Sequence, residues 1–362
     1  SSAASGRMRG RDTTSVTRRL SALDRYLPVW IFAAMAAGLL LGRTAPGLGP
    51  VLDRFRVAGV SVPIAIGLLW MMYPVLAKVR YDAIGGHLKD RRLLGTSLVL
   101  NWVVGPVVMF TLAWVLLPDL PAYRSGLILV GLARCIAMVL IWNDLACGSA
   151  ELAAVLVALN SLFQILTYSV LGWFFLTVLP GWLGGTGTAL SVSMGAIARS
   201  VLIFLGVPLV AGWLTRRTLV RRKGTAWYEG VFLRRVGPTA LLGLLYTIVL
   251  MFAMQGDRLL AHPFDVVRIA LPLLVYFAVM FGVAFLLARR LGFGYPATTS
   301  LAFTAAGNNF ELAIAVAVAT FGLGSGEAMA AVVGPLVEVP ALVALVYVAL
   351  WARRFFPAAA VS

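Results

Sequence analysis

Ten long runs of apolar residues, separated by short polar segments, organise this chain. They cover Tyr26–Gly42, Ala58–Ala77, Leu93–Leu117, Tyr123–Leu145, Leu152–Leu176, Val192–Leu214, Val236–Met254, Val266–Ala288, Tyr295–Phe321 and Met329–Trp351. Their lengths cluster around the roughly 20 residues that a helix needs to cross a hydrocarbon layer. The runs are continuous, whereas the strands of a membrane barrel alternate apolar and polar positions. The pattern predicts an all-α integral membrane protein with ten transmembrane helices, in contact with lipid along most of its outer face.

Composition agrees with that reading. Of the 362 residues, 61% are hydrophobic and 12% charged, and the mean hydropathy is +0.93, far more apolar than a soluble domain. The net charge of +16 raises the question of a nucleic-acid partner, but the distribution of the basic residues answers it. With a cytoplasmic N-terminus and ten spans, 22 of the 30 Lys and Arg fall on the cytoplasmic side, 6 on the other, and Arg134 and Arg199 within spans. This is the positive-inside bias. It predicts both termini in the cytoplasm, in a plasma (inner) membrane, and no nucleic-acid partner.

Residues 1–25 are polar and Arg-rich without an apolar core, so they read as a disordered cytoplasmic tail and not as a signal peptide; residues 355–362 read as a second, short tail. The two cysteines, Cys135 and Cys147, are twelve residues apart. As a continuous helix that is about 18 Å, too far for a disulfide. His87 and His262 fall in loops, which leaves no histidine for a metal site within the membrane. No cofactor or metal is expected, and the sequence specifies no oligomeric state.

Two stretches read as one motif. GLARCIAMVL from Gly131 and GNNFELAIAV from Gly307 align at an offset of 176, which sets Cys135 on Glu311; AAVLVALNSLF from Ala153 and AAVVGPLVEVP from Ala330 align at 177. Each half then holds five spans, residues 26–180 and 181–354, joined by the longest loop, Arg216–Arg235. Five is odd, so the second half starts on the opposite side of the membrane. The result is an inverted repeat, with the functional site expected where paired helices are broken near the midplane. The fourth and ninth spans are the pair expected to break and cross, because both carry Gly and polar residues at their centres. Packing glycines in unbroken helices are the plain alternative.

Ionisable groups at membrane depth are costly and therefore mark candidate sites. Glu311 lies in mid-span, where a carboxylate that takes up and releases a proton can couple transport. The alternative is a static ion pair with Arg134. Cys135 follows Arg134, and a neighbouring cation favours the thiolate, which selects soft, thiophilic species. A lone cysteine in an apolar helix is otherwise a packing residue. One thiol cannot close a multi-thiolate chelate, which suits reversible binding. Glu338, between Pro335 and Pro340, is a second candidate for proton coupling, or a partner for Arg134 or Arg199. Cys135, Arg134, Asn308, Asn309 and Glu311 are together expected to contact substrate, with Arg134 and the two Asn amides assisting Cys135. Asn101, Asn160, Ser161 and Gln164 read as polar groups that bond between helices, with lining a site as the alternative. Trp142 reads as packing more than contact, and it and Arg199 join Asn101 and Asn160 as supporting intramembrane residues. Nothing points to an enzyme: there is no phosphate-binding loop, no dinucleotide fingerprint, no HExxH and no histidine beside Cys135.

GLARCIAMVLIWNDLACG around Cys135, TAAGNNFELAIAVA around Glu311 and GPLVEVPALVALVYVALW around Glu338 resemble the arsenical-resistance arsenite efflux permeases of the bile/arsenite/riboflavin transporter superfamily, over about Leu20 to Arg354. The resemblance implies expulsion of arsenite, with antimonite possible, in exchange for protons. It implies that Cys135 and Glu311 are the essential cysteine and glutamate, and that spans four and nine are crossed and broken. Two other readings stay open at this stage: a sodium-coupled organic-anion symporter of the bile-acid branch, and a membrane sensor that binds without transporting.

Overall fold

The computed structural model describes residues 26–45, 47–48, 51, 56–57, 60–80, 90–136, 138–183, 193–261, 263–322 and 324–357. The expected tail at 1–25, most of 355–362, and His87 and His262 lie outside the described residues. Among the described residues the regular structure is helical apart from one antiparallel pair of two-residue strands, Arg56–Val57 with Val60–Ser61.

The helices are α1 (Leu27–Thr44), α2 (Val62–Lys78), α3 (Arg91–Leu116), α4 (Pro121–Leu132), α5 (Met138–Leu145), α6 (Ala150–Trp182), α7 (Met194–Lys223), α8 (Thr239–Ala261), α9 (Pro263–Arg290), α10 (Tyr295–Ala306), α11 (Phe310–Phe321) and α12 (Gly326–Ala352). Among the described residues, six helical segments are long and apolar enough to cross a membrane: Arg91–Leu116, Ala150–Trp182, Met194–Lys223, Thr225–Met254, Phe264–Arg290 and Gly326–Phe355. The other expected runs are the shorter apolar helices α1 and α2 and two interrupted ones, α4 with α5 and α10 with α11. Many large apolar side chains stand on the outer surface. Phe32, Val103, Val115, Leu166, Leu202, Val207, Leu271, Leu286 and Trp351 are all exposed, which suits a hydrocarbon solvent and not water. The chain is a multi-pass integral membrane protein.

Proline explains three irregularities. The π turns Leu100–Val104, Phe174–Val178 and Leu202–Gly206 each end two residues before a proline, Pro106, Pro180 or Pro208. The ring lacks an N–H and collides with the carbonyl four residues back, and one widened turn absorbs the mismatch.

The segment expected as the longest loop, Arg216–Arg235, is instead mostly helical. α7 runs on through its basic end to Lys223, where cations favour a helix C-terminus, and Gly224 at φ 83° turns the chain. The short helical pieces Thr225–Trp227, Tyr228–Phe232 and Leu233–Val236 then lead to α8. Side-chain contacts bind this connector to α2. The Tyr228 hydroxyl donates to Ala77 O at 2.9 Å, and Glu229 pairs with Arg80 at 2.7 Å and Arg216 at 3.4 Å. Between α3 and α4, Asp119 accepts from Arg268 at 2.7 Å, and that hydrogen bond holds its carboxyl below the usual carboxylate range. The expected C-terminal tail also packs in part, since the Phe356 ring meets Phe285 at 5.8 Å and Tyr295 at 5.4 Å.

α8 packs on α1 and α2, and α7 on α2. In the other group, α9 packs on α3, α10 and α12, and α4 on α3 and α12. The two interrupted pairs meet in the middle.

Candidate functional site

α4 stops at Leu132. Ala133 is extended (φ −85°, ψ 120°), and helix resumes only at Met138. α10 stops at Ala306, Gly307 is extended (φ −72°, ψ 144°), and α11 starts at Phe310. The two interruptions cross and hydrogen-bond to each other. Arg134 and Asn308 form an antiparallel bridge, Cys135 N–H donates to Gly307 O at 3.2 Å, and Asn309 N–H donates to Ala133 O at 3.1 Å. Unpaired backbone groups are expensive at membrane depth, and each break uses the other to satisfy them. Gly307 is needed for space and not for its torsion angles: a Cβ there would stand 2.9 Å from Cys135 Cβ. Asn309 caps α11, its side-chain oxygen accepting from Leu312 N–H at 3.0 Å.

These bonds recur at a spacing of 174 residues. Adding 174 turns Ala133, Arg134 and Cys135 into Gly307, Asn308 and Asn309, and exchanges the two backbone bonds. The same step relates Arg134 N–H donating to Gln164 Oε1 at 3.0 Å to Asn308 N–H donating to Glu338 Oε1 at 3.4 Å. Cys135 therefore corresponds to Asn309. The offset of 176, which matched it to Glu311, is corrected: it followed similar letters where the backbone pairing differs by two residues.

Arg134 is completely buried. Its Nη1 donates to the Tyr276 hydroxyl at 2.8 Å and to Ala305 O at 3.4 Å, while Nε and Nη2 have no hydrogen-bond partner. Among the described residues no carboxylate pairs with it, so the expected static pair with Glu311, or with Glu338, does not form. Asn308 Nδ2 donates to Val130 O at 2.9 Å and Ala133 O at 3.2 Å.

A cavity of about 370 Å³ reaches the crossing from one side. Ile136, Met138, Phe310, Glu311, Pro335 and Glu338 line its inner part, Met71, Val75, Leu241 and Leu244 its apolar wall, and Lys78 and Arg234 its basic rim. The two carboxylates thus share one space. Cys135 is buried at 3% exposure, and its neighbour Ile136 lines the cavity in its place.

Other expected residues sit apart. Asn101 bonds locally, donating to Ser97 O at 2.8 Å within α3. Trp142 is buried on α5 and Asn160 on α6, and the side-chain nitrogen of each lacks a partner. Arg199 does not join the site. It is exposed near the start of α7, where a long cationic side chain can keep its head group out of the apolar interior. Cys147 follows α5 with φ 56°, so the stretch between the cysteines is a break and a short helix, not a continuous one. Sequence reasoning missed Tyr276, an interior tyrosine on an otherwise apolar face. It also gave Gln164 no role in holding the crossing.

The site is thus a polar crossing of broken helices inside a membrane bundle, with a cavity that brings two carboxylates to it from one side. That arrangement belongs to a membrane carrier. The sequence profile described as the Sodium Bile acid symporter family matches residues 65–262. The chain is 54% identical to the Arsenical-resistance protein Acr3 of Corynebacterium glutamicum, over 95% of this chain and 94% of that protein. It is 35% identical to the Uncharacterized transporter slr0944 of Synechocystis, over 93% and 91% of the two chains. It is 32% identical to the Arsenical-resistance protein Acr3 of Alkaliphilus metalliredigens, over 92% and 94%. The chain belongs to the Acr3 arsenical-resistance proteins within the sodium bile acid symporter family. It is a transporter and not an enzyme.

Proposed function

We propose that this protein extrudes arsenite from the cytoplasm in exchange for protons, by alternating access. The observation that carries the reading is the cavity in which Glu311 and Glu338 face one space at the crossing of two broken helices. The names of the Acr3 relatives direct it to an arsenical.

Arsenite is largely uncharged at neutral pH, so the site can accept it without a counter-ion. Cys135 supplies the soft contact for arsenic. Arg134, Asn308 and Asn309 shape the crossing that presents it, and antimonite fits the same chemistry. Glu311 and Glu338 alternate between protonated and ionised forms, so that substrate and proton compete for one space. Trp142, Asn160 and Asn101 support the surrounding helices.

The spacing of 174 supports two inverted five-helix repeats, residues 26–180 and 181–354, together making ten spans. Lys78 and Arg234 at the cavity rim belong to segments that the positive-inside rule assigns to the cytoplasm. On that orientation both termini are cytoplasmic, the membrane is the plasma (inner) membrane, and this conformation opens inward. One helix group rocking against the other would carry the site to the outer face.

The family's name favours one second reading, a sodium-coupled organic-anion symporter. A single experiment separates the two. Arsenite uptake is measured in everted vesicles, acid inside and free of sodium, for the native protein and Glu311→Gln. Gradient-driven uptake that is lost in the variant is expected. Flux that ignores the gradient in both would refute proton exchange, and flux that requires added sodium would favour the symporter.

A further inference from the structure

A half-helix that ends inside the membrane leaves carbonyls without intrahelical partners, at the negative end of its dipole. In carriers built from broken helices, such ends coordinate the coupling cation. In this protein the chain itself occupies both ends. At the end of α4, the Asn308 amide donates to Val130 O and Ala133 O at 2.9 and 3.2 Å. At the end of α10, the Arg134 guanidinium donates to Ala305 O at 3.4 Å and is steadied by the Tyr276 hydroxyl at 2.8 Å. Arg134 is completely buried, and no carboxylate among the described residues pairs with it. A buried charge needs compensation, and the groups that supply it here are the carbonyl end of α10 and the tyrosine oxygen. The surroundings are fitted to the guanidinium, since a Cβ on Gly105 would come within 2.7 Å of its Nη1.

We propose that Arg134 is a tethered cation, standing where a coupling monovalent cation such as sodium would otherwise bind, and that Asn308 closes the corresponding end of α4. Transport then proceeds without sodium, although the family is named for it. The inference rests on the carrier reading of the crossing. It implies that removing the guanidinium uncovers a cation site at the carbonyl end of α10.

The test is thermal unfolding of the full-length protein in detergent, in choline, sodium, potassium or low-millimolar guanidinium chloride. The native protein should unfold at one temperature in all four. Arg134→Ala should unfold at a lower temperature in choline, and sodium or guanidinium should restore part of the loss in a saturable way. Arg134→Lys, which keeps a cation in place, should show no such response. The proposal is overturned if Arg134→Ala ignores every cation, if sodium stabilises the native protein, or if Arg134→Ala yields no folded protein even when prepared in sodium or guanidinium. The readout needs no arsenite. Failure of the native protein to move arsenite would therefore sink the carrier reading while leaving the cation response intact.

Discussion

Arg134 and Asn308 face each other as an antiparallel pair, and each backbone N–H reaches a side chain 30 residues further on, Gln164 at 3.0 Å and Glu338 at 3.4 Å. The two crossing strands thus share this bonding pattern, with an amide as the acceptor on one side and a carboxyl on the other. The amide can only hold the crossing. The carboxyl can hold it and also carry a proton, and it lines the cavity beside Glu311.

Glu338→Gln separates those two duties. Its amide oxygen can accept from Asn308 N–H as Gln164 does from Arg134, so the variant is expected to unfold close to the native temperature. Its arsenite flux should lose dependence on an imposed pH gradient in vesicles. A large fall in unfolding temperature with coupling intact would make the carboxyl structural.

Gln164→Leu removes the acceptor for a buried N–H at Arg134. An unsatisfied buried donor costs about 1–3 kcal/mol, and the expected result is a lower unfolding temperature in detergent. Unchanged stability would mean that Gln164 does not support the crossing.

Gly307→Ala should damage transport through packing alone. The added Cβ would stand 2.9 Å from Cys135 Cβ, in a stretch held by backbone bonds on both strands, whereas a Cβ at Gly282 on α9 meets nothing within 4 Å. Overpacking costs about 1–3 kcal/mol, so Gly307→Ala is expected to lose both stability and arsenite flux, with Gly282→Ala as the silent control. Native flux in Gly307→Ala would show that the two breaks need not approach so closely.

The two thiols should behave differently. Cys147 is exposed and Cys135 buried, so a maleimide should modify Cys147 first and leave arsenite flux intact. Cys135→Ser should abolish flux at normal membrane expression, and Cys147→Ser should not. Full flux in Cys135→Ser would remove the thiol from the mechanism.

Much of this was legible in the amino-acid order. Continuous apolar runs locate helices because hydrocarbon tolerates only backbone that satisfies its own hydrogen bonds, and every expected run overlaps an observed helix, although α6, α7 and α8 run six to nine residues past their expected ends. The interruption at Gly307–Asn309 was legible too, since glycine leaves room and asparagine caps. Its partner was expected from Gly131 and the polar residues of the fourth span, yet the helix stops at Leu132 and the extended backbone begins at Ala133, which neither leaves extra room nor caps. The connector at 216–235 was misread because its charges hid helix formers from a hydropathy reading.

Sequence alone therefore determined that the chain crosses membranes, and it singled out one thiol and two carboxylates within apolar runs. Each of these depends on residue type and on spacing along the chain. Only the tertiary structure decided the spacing of 174, the guanidinium of Arg134 on a helix end in place of a carboxylate, the pairing of Gln164 and Glu338 with the crossing, and the exclusion of Arg199. Those outcomes depend on which of several chemically equivalent partners lies within about 3 Å, the reach of a hydrogen bond. That is settled by how the helices pack, among residues up to 178 positions apart.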